Sequence, residues 1–171
     1  MEWTGARYAD QPTAEAETLI AATQQRVWEL VSDITVMPLF SDELQSVEWL
    51  DGTTTPHVGA RFAGHSKHSA LGEWTTQSQI VELQPPSVFA WAVGDPEDPS
   101  ARWRFDVRPD PAGAILRYQV KMGPGPSGLS LAIERMPDKE EKIVFVRMRE
   151  FEHGIQATLA GIRELAEDGA R

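Results

Sequence analysis

Five stretches between Gly59 and Met122 carry apolar or bulky residues on one side of an alternation and charged or amide residues on the other. The clearest is Ala101–Met122. Trp103, Phe105 and Val107 alternate with Arg102, Arg104, Asp106 and Arg108. After Pro109-Asp110-Pro111-Ala112-Gly113, Leu116, Tyr118, Val120 and Met122 alternate with Arg117, Gln119 and Lys121. Successive side chains of a strand point to opposite faces. The pattern therefore predicts an antiparallel sheet with one solvated and one covered face.

The same reading extends along the chain. Met1–Thr13 is expected to be a loosely held lead-in, and Ala14–Ala21 a first strand. Thr23 can cap a helix over Gln24–Ser32, where Val27, Leu30 and Val31 recur at helical spacing. Thr35–Asp42, with Pro38, reads as a second short helix or turn, and Gln45–Leu50 as a strand ended by Asp51-Gly52. Sharing apolar residues on one face pairs Phe62 with Ile80, Gly64 with Ser78, Ser66 with Thr76 and His68 with Trp74, leaving Ser69–Glu73 as a loop. Val88–Val93 follows Pro85-Pro86, and Gly94–Ser100 reads as a turn-rich loop. Gly123–Gly128 is too rich in Gly and Pro for regular structure, and Leu129–Met136 is a short apolar stretch.

Pro137 and Asp138 then open a long helix, with Glu141 completing a capping-box-like start. Val144, Met148, Phe151, Ile155, Leu159 and Ile162 form one apolar stripe along it. Gly154 and Gly161 sit inside at some cost in propensity, which close approach to the sheet would explain. Neither the stripe nor the sheet face can be buried alone, so each is the natural cover for the other. A twisted sheet gripping a rod leaves space between them.

Composition narrows the function. A chain of 171 residues, 41% hydrophobic and 25% charged, fits one folded domain, here 14–168. The net charge of −10 argues against nucleic acid and anionic membrane as partners. With no cysteine, thiolate catalysis and Cys-type zinc sites are excluded. No stretch approaches the ~20 apolar residues of a membrane span. The first residues lack a signal-peptide core, so a cytoplasmic monomer or homodimer is expected.

Several segments together resemble the START-like, or helix-grip, superfamily (SRPBCC), and within it the polyketide cyclase/dehydrase-type proteins of bacteria. They are Ala21–Ile34 (AATQQRVWELVSDI), Met37-Pro38-Leu39-Phe40-Ser41, Val58-Gly59-Ala60-Arg61-Phe62 and Trp103-Arg104-Phe105. The resemblance covers about Ala14 to Ala166. It implies an α+β fold with a curved antiparallel sheet of about seven strands on a long C-terminal helix, and two short helices after the first strand. It also implies a hydrophobic cavity between sheet and helix. The superfamily spans cyclases, carriers, receptors and chaperone activators, so the fold does not fix the function.

The inner face supplies the candidate ligand-binding residues Phe62, Ser66, Trp74, Thr76, Ser78, Phe89, Trp91, Trp103, Phe105, Tyr118 and Met122, joined from the helix by Met148 and Phe151. This is the aromatic and apolar lining of a small-molecule pocket, although the same side chains could simply interdigitate. Tyr118 and His68 are the candidate catalytic residues. Histidine titrates near neutrality and suits proton transfer, and a buried tyrosine hydroxyl needs a partner. One of Arg147 and Glu150 could reach the cavity mouth, or both could be surface charges. The histidines are too scattered for a metal site, and no cofactor motif is present.

Three readings follow. The first is binding of a hydrophobic small molecule, polyketide-, lipid- or isoprenoid-like. The second is a polyketide aromatase/cyclase or dehydratase, with Tyr118 and His68 as acid/base. The third and weakest is a protein-interaction module of the chaperone-activator sort.

Overall fold

The computed structural model describes residues 1–168. Seven antiparallel strands form one curved sheet in the order β1-β7-β6-β5-β4-β3-β2. They are β1 (Thr13–Ile20), β2 (Leu44–Trp49), β3 (Arg61–His68), β4 (Gly72–Gln84), β5 (Val88–Asp95), β6 (Asp98–Asp110) and β7 (Gly113–Met122). Helix α1 (Gln24–Val31) and a 3₁₀ segment (Ile34–Phe40) follow β1; α2 (Gly128–Arg135) and α3 (Glu140–Asp168) close the chain. This is the helix-grip arrangement that the resemblance implied.

The alternation places the core as expected. Leu116, Tyr118, Val120 and Met122 of β7 are all buried. Pairing lines their neighbours into rows across the sheet: Trp91 opposite Trp103 opposite Val120, and Phe89 opposite Phe105 opposite Tyr118. The outer face carries Arg104 paired with Glu82 and Asp106, Arg117 with Glu15, and Arg108 with Glu17. Such exposed pairs contribute little stability each. They keep that face solvated and fix which side turns inward.

Four local expectations change. The β3–β4 hairpin is tighter by one step: Phe62 pairs with Ser78, Gly64 with Thr76, Ser66 with Trp74 and His68 with Gly72. A shift of two residues keeps every side chain on its expected face, and Gly72, at φ +79°, closes the turn. Gly94–Ser100 is mostly strand, since β5 runs to Asp95 and β6 starts at Asp98, with a bulge after Val93. Asp138 does not cap the long helix but lies in a 3₁₀ turn (Pro137–Lys139) before it. Ser127 and Thr23 do cap α2 and α1, accepting from Ser130 and Arg26 amides.

The lead-in is the fourth. Instead of being loosely held, it lies along α3. The Met1 amino group meets Glu152 at 2.9 Å, and Trp3 packs edge-on against Phe145. The Tyr8 amide donates to Glu140 and its hydroxyl to the Gly125 carbonyl. No element pattern signals these contacts, because they join residues remote in sequence.

Candidate functional site: a cavity between sheet and helix

The position of α3 leaves a hollow. Its C-terminal half buries Ile155, Leu159, Ile162 and Ala166, and α3 packs chiefly on β1, the edge strand, with further contact to β7. The sheet curls away from there. A bulge between Ile80 and Glu82 and another after Val93 strengthen that curl. Small residues then face the helix where filling would need large ones: Gly64, Ser66, Thr76, Ser78 and Ala101. On the helix side stands Gly154, whose Cβ would meet nothing within 4 Å. The result is a cavity of about 1370 Å³, above the usual range for small-molecule sites.

Two walls differ in chemistry. The β5–β7 wall is aromatic. Trp103 lies near-parallel to Trp91 (6.3 Å, 13°) and 5.2 Å from Tyr118. Tyr118 stacks on Phe105 at 14°. Phe151 stands edge-on to Trp103 from α3, at 5.2 Å. The β3–β4 wall carries the hydroxyls of Ser66, Thr76 and Ser78. Among the described residues, none of these hydroxyls, nor that of Tyr118, has a hydrogen-bond partner. Ser78 and Tyr118 are buried residues and Ser66 and Thr76 partly so, and all four hydroxyls are free to bond something held in the cavity.

Of the residues singled out from sequence, Phe62, Ser66, His68, Trp74, Thr76, Ser78, Trp91, Trp103, Phe105, Tyr118, Met122 and Phe151 line this cavity. Phe89 and Met148 do not; both lie in the packed core, at 0% and 2% exposure. Phe89 shares the inner face of β5 with Trp91, but its ring is fully buried, while Phe105 and Tyr118 of the same row reach the cavity. Period alone places a residue on a face and cannot tell the filled end of that face from the hollow one.

The polar end of the cavity was only partly legible. Arg147, one of the two charges that could reach the mouth, does so, with its side chain 14% exposed. It binds both carboxylate oxygens of Glu43, at 2.6 and 2.7 Å, and one of Glu150 at 2.8 Å. Its guanidinium also lies 4.6 Å over the Phe151 ring. Burial alone would lower the Arg147 pKa, but the Glu43 and Glu150 hydrogen bonds and charges outweigh it and the net shift is upward. His68 accepts from the Ala70 amide at Nδ1 (3.1 Å) and turns Nε2 to Glu150 at 3.4 Å. Accepting at Nδ1 places the proton of the neutral ring on Nε2. Glu43, His68 and Glu150 offer ligand atoms within 4.8 Å of one another, and the cation already among them is Arg147.

The chain has two tyrosines. Burial leads in raising the pKa of both, and for Tyr8 the Asp98 charge adds while the Ser127 hydrogen bond opposes. A raised folded pKa favours the neutral form. The associated stability is therefore intact below the ordinary tyrosine value, about 10, and is lost as pH rises through the folded values. An absorbance titration at pH ~10 should thus show well under half of the tyrosinate of the unfolded chain. Half-ionisation there would contradict the burial of both rings.

A model of the family described as polyketide cyclase/dehydrase and lipid transport matches residues 11–140. The chain belongs to that family. Solved structures agree with the family fold. The polyketide-cyclase-like protein of Corynebacterium glutamicum is 28% identical over 93% of each chain, with a TM-score of 0.67. The Zhui aromatase/cyclase of Streptomyces sp. R1128 is 18% identical over 94% of this chain and 96% of its own, at 0.68. The di-domain aromatase/cyclase StfQ of the steffimycin pathway matches over 92% of this chain and 51% of its own, at 15% identity and 0.70. At these last two identities the likeness shows the fold. No curated protein matches the chain. Among the described residues, no helix is long and apolar enough to cross a membrane.

Proposed function

We propose that this member of the cyclase/dehydrase family binds a flat, neutral, oxygen-bearing hydrophobic molecule, polyketide-like in character, between the aromatic and hydroxyl walls. One observation carries the reading: four hydroxyls without protein partners, those of Ser66, Thr76, Ser78 and Tyr118, line a cavity floored by Trp91, Trp103 and Tyr118. A hydroxyl stripped of water by a bound molecule and left unpaired costs about 1–3 kcal/mol. A ligand with carbonyl or hydroxyl oxygens at its edges offsets that cost, whereas a plain acyl chain leaves it standing. Stacking on indole and phenol faces favours fused or conjugated rings over saturated chains.

Binding is preferred over catalysis for a chemical reason. Cyclisation of a poly-carbonyl chain requires a base as well as an acid. Tyr118, held neutral by burial, is suited to donating to a ligand carbonyl. Nδ1 of His68 is taken by the Ala70 amide and Nε2 stands 3.4 Å from Glu150 at the rim, a placement that favours holding the rim over proton transfer. A cyclase reading stays supported by the cavity-facing Tyr118 hydroxyl. It requires that Tyr118→Phe abolish turnover of a linear poly-carbonyl substrate with affinity changed only a few fold.

The test compares two probes on wild type and Tyr118→Phe. Affinity for a dihydroxyanthraquinone should fall about 5- to 15-fold, the equivalent of about 1–1.6 kcal/mol for one lost hydrogen bond. Affinity for N-phenyl-1-naphthylamine, which lacks oxygen, should stay within about twofold. Equal anthraquinone affinity in both proteins would remove Tyr118 from ligand recognition. Failure of wild type to take up either probe would count against the binding reading itself.

A further inference from the structure

The two edges of the curved sheet are closed onto α3 by different forces. At the β1 edge the seam is apolar: Ala14 and Ile20 of β1 and Ile155, Leu159 and Ile162 of α3 are all buried. At the β2–β3 edge the seam is ionic. Glu43 stands just before β2, with its carbonyl accepting from the Lys67 amide of β3 at 2.9 Å. Its carboxylate reaches α3 and takes Arg147 in a two-point contact. His68, the last residue of β3, reaches Glu150 on the next turn of α3. Ser41 accepts from the Glu43 and Leu44 amides and holds this segment in shape. Two points on the free edge of the sheet are thus bridged to one face of the helix, across the rim of the cavity.

We propose that the Glu43–Arg147–Glu150–His68 cluster is a latch, and that ligand enters and leaves between the β2–β3 edge and α3 when it opens. The proposal rests on the binding reading above. Parting an apolar seam exposes hydrophobic surface to water with nothing to offset it. Parting an ionic seam returns charges to water, which solvates them well, so this is the edge that opens at least cost. Two further observations place the port here. Leu71, at the tip of the β3–β4 hairpin, and Val146, beside Arg147 on α3, line the cavity yet are 52% and 46% exposed. They give a hydrophobic ligand an apolar threshold on either side of the latch. Arg147 also lies over Phe151, which abuts Trp103, so the closed latch seats the helix side of the aromatic wall.

The latch is tested with Glu43→Gln, which keeps the size but removes the charge and one of the two acceptor oxygens that hold Arg147. Stopped-flow mixing with N-phenyl-1-naphthylamine should give association and dissociation rate constants that both rise about 5- to 20-fold, with Kd unchanged within about twofold. Glu15→Gln, which removes the outer-face partner of Arg117, should leave both rates as in wild type. Hydrogen exchange without any probe supplies a second readout: the amides of residues 41–45 and 66–70 should exchange faster in Glu43→Gln. Unchanged exchange in these segments overturns the latch. So does a rise in dissociation rate alone, which would make Glu43 part of the ligand contact. If wild type takes up no probe, the binding reading fails, and hydrogen exchange still decides whether the edge is latched. Should Glu43→Gln fold poorly, Glu150→Gln is read by the same two measurements.

Discussion

Replacing Trp103 by alanine is expected to weaken binding of a flat aromatic ligand by about 10- to 100-fold, or about 1.4–2.8 kcal/mol. Trp103 is the centre of the aromatic wall. It touches Trp91, Tyr118 and Phe151 at ring separations of 5.2 to 6.3 Å. Its exposed face looks into the cavity, so truncation enlarges a hollow that already exists. The folding cost should accordingly fall at or below the low end of the 3–5 kcal/mol typical of buried Trp or Phe truncations. Phe89→Ala provides the contrast. That ring is fully buried outside the cavity, so about 3–5 kcal/mol of stability should go, with affinity changed less than in Trp103→Ala. Fluorescence titration and urea denaturation of both variants measure the two effects separately. If Trp103→Ala binds like wild type while Phe89→Ala does not, the ligand lies elsewhere.

The second large effect comes from one substitution made at two places on α3. Helix propensity predicts that Gly→Ala stabilises an interior position by about 0.8–1 kcal/mol. At Gly154 this should hold, because the added methyl meets nothing within 4 Å and points into the cavity. At Gly161 the methyl would stand 2.0 Å from Cδ1 and 2.4 Å from Cε1 of Phe40. An aromatic ring packed between the 3₁₀ segment and α3 cannot fold aside like a flexible tail. Gly161→Ala should therefore cost about 1–3 kcal/mol in spite of its propensity gain. The two variants, on one helix and chemically identical, should differ by about 2–4 kcal/mol in urea denaturation. Equal stabilities would mean that Phe40 does not rest on Gly161. The close approach anticipated for these glycines is thus present at one of them only, and it is made to the 3₁₀ segment rather than to the sheet.

Much of this protein is legible in its sequence because the controlling interactions are local or periodic. The alternation at Trp103–Val107 and Leu116–Met122 assigns faces without knowledge of any partner, since the strand period is fixed by backbone geometry. The α3 stripe and the Thr23 cap are likewise set within a few residues. Even the β3–β4 register, misplaced by two residues, left Ser66, Thr76 and Ser78 on the correct face. The tertiary structure decided what depends on distance through space. Arg147 and Glu43 are separated by 104 residues, and nothing local marks either as the other's partner. His68 was placed on the inner face by its period, but its hydrogen bond from Ala70 and its approach to Glu150 depend on the hairpin turn and on α3. The lead-in gave no periodic signal, yet Trp3 and Tyr8 are held against α3 and the Gly123–Gly128 loop. The cavity itself is the largest such decision. Sequence determines that an aromatic face and an apolar stripe must cover each other. Whether they meet or stand apart depends on where the sheet bulges and on which strand the helix rests. Here α3 rests on β1, and the sheet curls away from it over Gly154.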